Sequence, residues 1–419
     1  MTESGGYVQI YVVGGAIRDE LMGRAVTDRD YVVVGATPEA LLAMGFRPIG
    51  KDFPVFLHPE THEEYALART EKKNGRGYHG FSFYAAPDVS LEEDLARRDL
   101  TINAMARGED GVLIDPFNGR ADLEARVLRH VGAAFVEDPV RLLRLARFAA
   151  RFGDFSLAPE TMALMRRMVA NGEIDHLTPE RVWQEISRGL MEAAPQRMLL
   201  VLRACGALAR LMPEVDALFQ TPERTEFHPE GNTGAHTLLA LAAAARMRLS
   251  LPARFATLAH DLGKALTPAG LLPRHHGHEE RGDAPLTALC ARLKVPAACR
   301  ELARLAIRQH GKMHRVGGKE ALTPGTMVRL LEACDLKRRP ERFAELLRVC
   351  EADARGRTGQ EDIAWPPREI WQKAAAAFCD VDGSVIAANL ADKTQIADRL
   401  HMARVAAVRA ALAVTPADS

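Results

Sequence analysis

Several features that often reveal the class of a protein are absent from this sequence. The six cysteines form no CxxC pair, which indicates reduced thiols in the core of a cytosolic protein. The formal net charge is zero, and this balance argues against indiscriminate binding along nucleic acid. The longest apolar run, residues 237–245, is too short to span a bilayer, and no basic segment precedes the first apolar run. We therefore expect a cytoplasmic protein without a membrane partner.

The 419 residues exceed what one hydrophobic core usually supports, so two to four domains are expected. The first 136 residues alternate short β-type runs with short helical segments, and the pattern then becomes helical. We predict an α+β fold with a small mixed sheet at the start and all-α regions after it. The predicted domains are residues 1–136, 137–226, 227–335 and 336–419.

The secondary structure of the first domain follows from these short runs. Strands are predicted at residues 8–13, 31–34, 55–58, 64–69 and 112–114, and helices at residues 16–22, 38–44 and 91–97. Residues 70–90 contain several Gly, Asn and basic residues, and we expect them to form a mobile loop over a site.

The segment 12–30, VVGGAIRDELMGRAVTDRD, contains the strongest local signal. Gly14 and Gly15 end an apolar run and precede a short helical segment, so the backbone there can approach a phosphate. Asp28 and Asp30 are two apart at the start of the next strand and project to one side, where two oxygen ligands suit Mg²⁺. A lone DxD is more often a solvated turn. The combination of strand, diglycine, Arg18, helix and DxD is much more restrictive.

Arginines form a second pattern. Residues 137–152, EDPVRLLRLARFAARF, predict a helix that starts near Pro139, with Arg141, Arg144, Arg147 and Arg151 on one face. A stripe of four Arg with few acids is a candidate for phosphate or nucleotide contact. Arg98 in Arg97-Arg98-Asp99, and Asp115 in the turn 115–119, also have plain structural interpretations, as a capped helix end with an ion pair and as a turn.

A histidine-rich part begins near residue 227. His260 and Asp261 in HDLGK lie about 100° apart on a helix, so both can reach one metal ion. His236 and the later Asp353 would complete a mixed nitrogen and oxygen site for a divalent transition metal. His278, His310 and His314 occur in the same part. A lone HD dipeptide is usually a core or capping feature.

The ordered motifs GGAIRDELMGRAVTDRDYVVVG, RRDLTINA, DPFNG and EDPVRLLRLARFAAR resemble the class II tRNA nucleotidyltransferases, the CCA-adding enzymes. The HDLGK unit after them resembles a bacterial subgroup with a C-terminal HD phosphohydrolase domain. The resemblance implies a nucleotidyltransferase head of the polymerase-β superfamily, a helical neck and body, and an HD domain, with residues 336–419 as a C-terminal helical region. A monomer and a homodimer are both compatible with the sequence.

The resemblance also implies a role for each matching residue. Asp28 and Asp30 match the catalytic Mg²⁺ ligands, and Glu64 is a weaker candidate for a third acid. The implied nucleotide-binding residues are Gly15, Arg18, Arg98, Asp138, Arg141, Arg144 and Arg147. Among these, Asp138 and Arg141 match the pair that reads the incoming base, while Asp115 falls in a flexible motif. His260 and Asp261 match the HD signature, with His236 and Asp353 as co-ligands of a transition metal such as Ni²⁺.

The function implied by this resemblance is template-independent addition of CCA to the 3′ end of tRNA from CTP and ATP, by two-metal nucleotidyl transfer. The enzyme would contact the acceptor stem. The HD unit implies 2′,3′-cyclic phosphodiesterase, 2′-nucleotidase and phosphatase activities. Two alternatives stay open. One is a poly(A)-adding, A-only or CC-only enzyme, and the other is a tRNA-binding protein in which only the HD unit is active.

Overall fold

The computed structural model describes residues 8–49, 55–73, 81–226, 228–316 and 321–413, without the side chains of 71–73 and 81–83. The chain divides into two compact units, Met1–Gly189 with Arg197–Arg210, and Leu190–Gln196 with Leu211–Ser419. Within the described residues, no helix is both long enough and apolar enough to cross a membrane. The domain boundaries predicted at residues 136, 226 and 335 remain predictions.

The strands lie in the first unit. They are β1 (Gln9–Val13), β2 (Asp30–Val34), β3 (Arg47–Ile49), β4 (Val55–Leu57), β5 (Glu64–Leu67), β6 (Thr70–Lys73), β7 (Phe81–Tyr84), β8 (Ala106–Arg107), β9 (Leu113–Ile114), β10 (Val127–Leu128) and β11 (Ser156–Leu157). Seven of them form a sheet in the order β3-β4-β5-β2-β1-β8-β9, in which only β2 and β5 are parallel neighbours. The predicted mixed sheet is thereby confirmed.

The helices of the first half of the chain accompany and follow this sheet. They are α1 (Gly15–Leu21), α2 (Pro38–Ala43), α3 (Leu91–Ala96), α4 (Gly119–Glu124), α5 (Val140–Arg151), α6 (Pro159–Ala170), α7 (Pro179–Met191), α8 (Pro195–Ala204), α9 (Ala207–Leu211) and α10 (Pro213–Asp216). Ser90 and Glu93 form a capping box at the start of α3, and Thr37 caps α2. These caps satisfy backbone N–H groups that a short helix leaves unpaired.

Both faces of the sheet are buried around β2. Val32 packs in a cluster with Val13 and Leu95, whereas Val33 packs in a second cluster with Leu41. Since successive side chains of a strand point to opposite faces, Asp30 shares the face of Val32. The packing of β2 therefore fixes the side to which Asp30 points.

The segment predicted as a mobile loop, residues 70–90, has a different structure where it is described. β6 and β7 pair as an antiparallel hairpin, with Thr70 opposite Tyr84. The prediction of a loop relied on the Gly and Asn content of the segment and overlooked the two short runs, 70–73 and 81–84, that form the strands. Residues 74–80 lie outside the described residues.

The described residues beyond α10 contain helices without strands. They form α11 (Thr233–Arg246), α12 (Leu251–Ala259), α13 (His278–Arg281), α14 (Asp283–Leu293), α15 (Ala297–Met313), α16 (Pro324–Ala333), α17 (Pro340–Arg355), α18 (Pro367–Asp380), α19 (Gly383–Ala388) and α20 (Ile396–Ala413). The helices α11, α12, α15 and α17 pack on one another, and α16, α18 and α20 form a second group. The predicted all-α character of this part is confirmed.

Two candidate active sites

The first site is a cavity of about 640 Å³ in the first unit, lined by both glycines of the diglycine turn. Gly14 follows β1 with a φ of 72°, and its N–H donates to the Met105 carbonyl at 3.1 Å. A Cβ added to Gly14 would lie 2.8 Å from Nη1 of Arg98, another residue of the cavity wall. Glycine is therefore required here both for its backbone conformation and for the close approach of Arg98.

Acidic residues surround the start of β2. Asp30 pairs with Val13 of β1 and with Glu64 of β5, so the two acids are neighbours in the sheet. Asp30 and Glu64 line the cavity, whereas Asp28 does not, and both aspartates keep part of their surface accessible to solvent. Partial burial and then the charge of Asp28 raise the pKa of Asp30, and Arg98 opposes this rise. A partly buried carboxylate beside a second one fits a divalent cation with oxygen ligands.

Arg18 is fixed at the cavity wall. It is 3% exposed, and its Nη1 donates to the Asn103 Oδ1 at 2.5 Å. Its Nε and Nη2 each donate to the Asp19 carboxylate at 2.9 Å, and its guanidinium lies over the Phe148 ring. Burial lowers the pKa of Arg18, and Asp19 opposes that effect. Three of its five N–H groups are thus used, and the group is held in one orientation.

Buried acids hold other arginines of the wall. Asp94 is completely buried and accepts from the Arg98 Nη2 at 3.3 Å. Asp99 accepts from the Arg144 Nε at 2.8 Å and from the Asn103 amide at 3.1 Å. Burial alone would raise the pKa of Asp99, but Arg144 and these hydrogen bonds outweigh it and lower that pKa. The arginines are therefore oriented before any ligand arrives.

The pair expected to read the base lies at the start of α5. The Asp138 Oδ1 accepts from the Val140 N–H at 3.1 Å, and its Oδ2 accepts from the Arg181 Nη2 at 2.7 Å. The Arg141 Nη1 donates to the Ala134 carbonyl at 2.5 Å. Asp138, Arg141 and Arg181 all line the cavity.

Like Asp28 and Arg151, the predicted residues Arg147 and Asp115 lie outside this lining. Arg147 is held behind the wall, where its Nε donates to the Glu185 carboxylate at 2.7 Å, and Glu185 itself lines the cavity. Asp115 accepts from the backbone N–H groups of Gly119 at 2.7 Å and Arg120 at 2.9 Å. Asp115 therefore has the structural role of holding the start of α4.

The sequence analysis missed one face of α7. Arg181, Gln184, Glu185 and Arg188 line the cavity, as do Arg69 and Arg97. The four residues on α7 lie at positions i, i+3, i+4 and i+7, which is the spacing of one helical face and the same kind of signal that identified the stripe on α5. Applying that test to every predicted helix would have found them. In total, eight arginines and five acidic residues line the cavity.

The second site lies among the helices α11, α12, α15 and α17 of the second unit. His236 on α11 and His260 at the end of α12 are completely buried. Asp261 and Asp353 are almost completely buried. The His236 Nε2 lies 2.9 Å from the Asp353 Oδ1, and the His260 Nε2 lies 3.1 Å from the Asp261 Oδ2. The four predicted ligands are thus brought together.

Three further histidines join this cluster. The Nε2 atoms of His278 and His310 lie 3.6 and 3.4 Å from the Asp261 Oδ1. The His314 Nε2 lies 2.7 Å from the Asp353 Oδ2. The sequence analysis noted these histidines without assigning them as ligands, because they are scattered over more than 30 positions on different elements.

Hydrogen bonds to the backbone fix the orientation of three of these imidazoles. The Nδ1 atoms of His260, His278 and His310 lie 2.8 to 2.9 Å from backbone carbonyls, which only accept hydrogen bonds. Each Nδ1 therefore donates a hydrogen bond, which leaves Nε2 as the ring nitrogen that faces the cluster. The Nε2 atoms of His278 and His310 lie 3.3 Å apart, so either a proton on one of the two nitrogens or a metal ion bound by both would avoid repulsion between their lone pairs.

Asp261 is the common member of two ligand groups. The ligand atoms of His236, His260 and Asp261 lie within 4.8 Å of one another, and so do those of Asp261, His278 and His310. The buried Asp261 Oδ1 and His260 Nε2 have no hydrogen-bond partner among the described residues. Unpaired buried acceptors are costly, and a metal ion would satisfy both.

Charged neighbours surround these ligands. Lys264 donates to the Glu223 carboxylate at 2.8 Å and lies 2.9 Å from the Asp261 Oδ2. Burial opposes the charge of His236, but its hydrogen bonds to Asp353 and Glu230 outweigh this and raise the pKa of His236 to about 9. The carboxylates around His236 therefore favour a positive charge at this position.

Comparisons with known proteins identify the domains of this chain. Family models match residues 10–129 as a poly A polymerase head domain, 154–219 as a probable RNA and SrmB-binding site of polymerase A, and 233–355 as an HD domain. The chain is 61% identical over 402 residues to a multifunctional CCA protein of Dechloromonas aromatica (strain RCB), covering 96% of this chain and 97% of the relative. It is also 61% identical over 404 residues to that of Laribacter hongkongensis (strain HLHK9), covering 96% and 99%.

Solved structures show the same fold. The crystal structure of the Bacillus stearothermophilus CCA-adding enzyme in complex with CTP has a TM-score of 0.64 at 23% identity, covering 96% of this chain and 89% of that one. A complex of a CCA-adding enzyme with ATP has a TM-score of 0.63 at 19% identity, covering 96% and 86%. The fold and sites define a nucleotidyltransferase with a poly(A)-polymerase-type head and an HD domain. Within that class, the chain belongs to the multifunctional CCA protein family.

Proposed function

We propose that this enzyme adds CCA to the 3′ end of tRNA, using CTP and ATP and releasing pyrophosphate. The observation that carries the proposal is the cavity in which Asp30, beside Asp28, faces the diglycine turn and a wall of oriented arginines. The 61% identity to multifunctional CCA proteins supports the choice of CCA addition over poly(A) addition.

Asp28 and Asp30 would hold Mg²⁺, with Glu64 as their nearest acidic neighbour in the sheet. When bound, the ion supplies Lewis-acid activation of the 3′-hydroxyl and of the α-phosphate during in-line attack. The chain itself holds the triphosphate. Arg18, Arg98 and Arg144 present N–H groups at the wall, while Arg147 acts through Glu185 as a positioning residue.

Asp138 and Arg141 would select the base. Cytosine and adenine each offer an amino donor beside a ring-nitrogen acceptor, so a carboxylate acceptor and a guanidinium donor can pair with either base. Uracil and guanine carry a carbonyl in place of that amino group and would leave buried partners unpaired. One pocket can therefore accept CTP and ATP and reject UTP and GTP.

The test is extension of a tRNA transcript that ends at the discriminator base. The purified protein is incubated with Mg²⁺ and CTP, ATP, both, or UTP with GTP, and the 3′ ends are sequenced. We expect CC with CTP and CCA with both, lost in Asp28→Asn and Asp30→Asn but retained in Asp154→Asn, an exposed acid outside the cavity. Long A tails would support the poly(A)-adding alternative, and absence of any addition would refute the proposal.

A second activity is favoured by the facing Nε2 atoms and the unpaired Asp261 oxygen of the HD cluster. We propose that the cluster binds a divalent transition metal and hydrolyses phosphate esters, with 2′,3′-cyclic phosphates, 2′-nucleotides and phosphate monoesters as substrates. His236, His260, Asp261 and Asp353 would hold the metal, with His278 and His310 on the other side of Asp261. When bound, the metal supplies an activated water.

This activity is tested by loading the chelator-treated protein with Ni²⁺, Co²⁺, Mn²⁺ or Mg²⁺ in turn. Equilibrium dialysis gives the number of bound ions, and hydrolysis of 2′-AMP and 2′,3′-cyclic AMP gives the activity. We expect tight binding of a transition metal with hydrolysis of at least one substrate. If no metal binds more tightly than to the Asp261→Asn protein, the assignment of this cluster is wrong.

A further inference from the structure

A second cavity, of about 590 Å³, adjoins the HD cluster. Lys264 and His278 form part of its wall, and both are close to Asp261, at 2.9 and 3.6 Å. A molecule bound in this cavity would therefore lie next to the metal ligands. The cavity is formed entirely by residues of the second unit.

The charges on this wall are unequal. Lys264 is neutralised by Glu223 and Asp261, and Arg224 pairs with Glu226 at 2.8 Å. By contrast, Arg274 and Arg357 also line the cavity, and no carboxylate pairs with either among the described residues. Arg274 and Arg357 therefore add two positive charges to a wall that also carries the carboxylates of Glu223 and Glu279, and among the described residues neither arginine forms an ion pair with them.

Arg357 has a further feature that points to a ligand. Its Nε is buried and has no hydrogen-bond acceptor among the described residues. A buried N–H without a partner costs free energy, and guanidinium groups bind phosphate in a bidentate geometry. A phosphate in the cavity would offer acceptors to the Arg357 guanidinium, which lines the wall.

The end of α17 positions Arg357 relative to the metal ligands. Asp353 lies in the last turn of this helix. Gly356 is the residue that follows the helix, and its backbone packs against α11. A Cβ added to Gly356 would lie 2.5 Å from the Ala240 Cα, so only glycine allows this contact. One helix end thus carries a metal ligand and, four residues later, an unpaired arginine.

We propose that Arg274 and Arg357 form an anion subsite that holds the phosphate of the HD substrate. The subsite favours a terminal phosphate monoester, a dianion, over a cyclic phosphodiester, a monoanion, because two unpaired positive charges attract the dianion more strongly. This inference rests on the phosphohydrolase activity proposed above. In the reaction, a water oxygen bonds to phosphorus, the bond from phosphorus to the ester oxygen breaks, and the alcohol leaves with a proton.

The experiment compares Arg357→Gln, Arg357→Lys and Arg274→Gln with wild type, all as metal-loaded full-length protein. Arg338→Gln, at an exposed arginine outside the cavity, is the matched control. The measurements are kcat and KM for 2′-AMP and 2′,3′-cyclic AMP, and the dissociation constant of inorganic phosphate by equilibrium dialysis. Metal content and tRNA extension establish that each variant is folded.

Both Gln variants are expected to raise the KM for 2′-AMP and the phosphate dissociation constant by about 10-fold or more, since each loses a charge-assisted hydrogen bond. The KM for the cyclic substrate should rise less, kcat should change little, and Arg357→Lys should recover part of the phosphate affinity. Wild-type values in both Gln variants would overturn the subsite. Wild-type protein without hydrolytic activity would instead contradict the phosphohydrolase proposal, while phosphate binding would still test the subsite.

Discussion

The two sites differ in how they handle charge. In the head, the carboxylates Asp28 and Asp30 are exposed at the start of a strand, and the cations are arginines fixed by buried acids such as Asp99. In the HD cluster the ligands His260 and Asp261 are almost completely buried. An open oxygen site suits Mg²⁺, which keeps water and binds substrate phosphates, whereas a closed imidazole site selects a transition metal through its ligands.

The difference also extends to the arginines. In the head wall, Arg144 pairs with Asp99 and Arg181 pairs with Asp138. The wall beside the HD cluster leaves Arg274 and Arg357 without carboxylate partners among the described residues. These arginines of the head are therefore oriented before a substrate binds, whereas the positive charges of Arg274 and Arg357 are available to a ligand.

The largest expected effect tests whether the two sites are separate. Asp30→Asn should lower nucleotide addition by about 1,000-fold or more because the Mg²⁺ site loses a charge, with hydrolysis of 2′-AMP within about twofold of wild type. Asp261→Asn should do the reverse, because both ligand groups lose their common member. Both activities are measured on the same preparations. If either substitution abolished both activities in folded protein, the two sites could not be treated as independent.

A smaller effect concerns the stability of the pre-oriented head. Asp99→Asn should reduce the free energy of local unfolding at pH 7 by about 1–3 kcal/mol, because Arg144 loses its partner and is itself partly exposed. The pKa of Asp99 is lowered in the folded protein, so its contribution is present above pH 4 and is lost as the pH falls through the folded value.

Amide hydrogen exchange in α5 at pH 7 and below pH 4 would measure this effect, since it reports local opening in a chain of several domains. The difference between Asp99→Asn and wild type should shrink at the lower pH. Asp154→Asn, at an exposed acid, is the control and should match wild type at both values. An undiminished difference at low pH would argue against the charge of Asp99 as the cause.

The smallest expected effect concerns base selection. Arg181→Gln frees the Asp138 Oδ2, which accepts from Arg181 at 2.7 Å. We expect the KM for CTP and ATP to rise by about 10-fold and misincorporation of UTP and GTP to increase, because Asp138 is less well oriented. Single-turnover extension with each nucleotide measures both. Arg120→Gln, on the exposed surface of α4, should behave as wild type. Unchanged selectivity in Arg181→Gln would remove it from the selection mechanism.

Much of the head could be predicted because its signals are local. The diglycine turn and Asp30 fall within 17 residues, and strand period and turn chemistry place them together. The resemblance supplied Arg98 and Asp138, which the structure brings to the same cavity. Their roles in catalysis and binding remain predictions until tested.

The unpredicted parts depend on tertiary packing. Arg147 shares a helical face with Arg144, yet it lies behind the wall because Glu185 of α7 occupies the position in front of it. His278 and His310 meet only when α13 and α15 pack at Asp261, a pairing that sequence spacing does not encode. Periodicity gives the face of an element, and packing decides what that face meets.

The alternation of Val32 and Val33 in β2 has a consequence for the head. Each valine is 1% exposed and belongs to a different hydrophobic cluster, and β1 and β5 pair with the strand on either side, so β2 is held at both faces and both edges. Asp30 is the first residue of this strand. Buried apolar side chains inside the sheet thus set the direction in which a carboxylate at the cavity points.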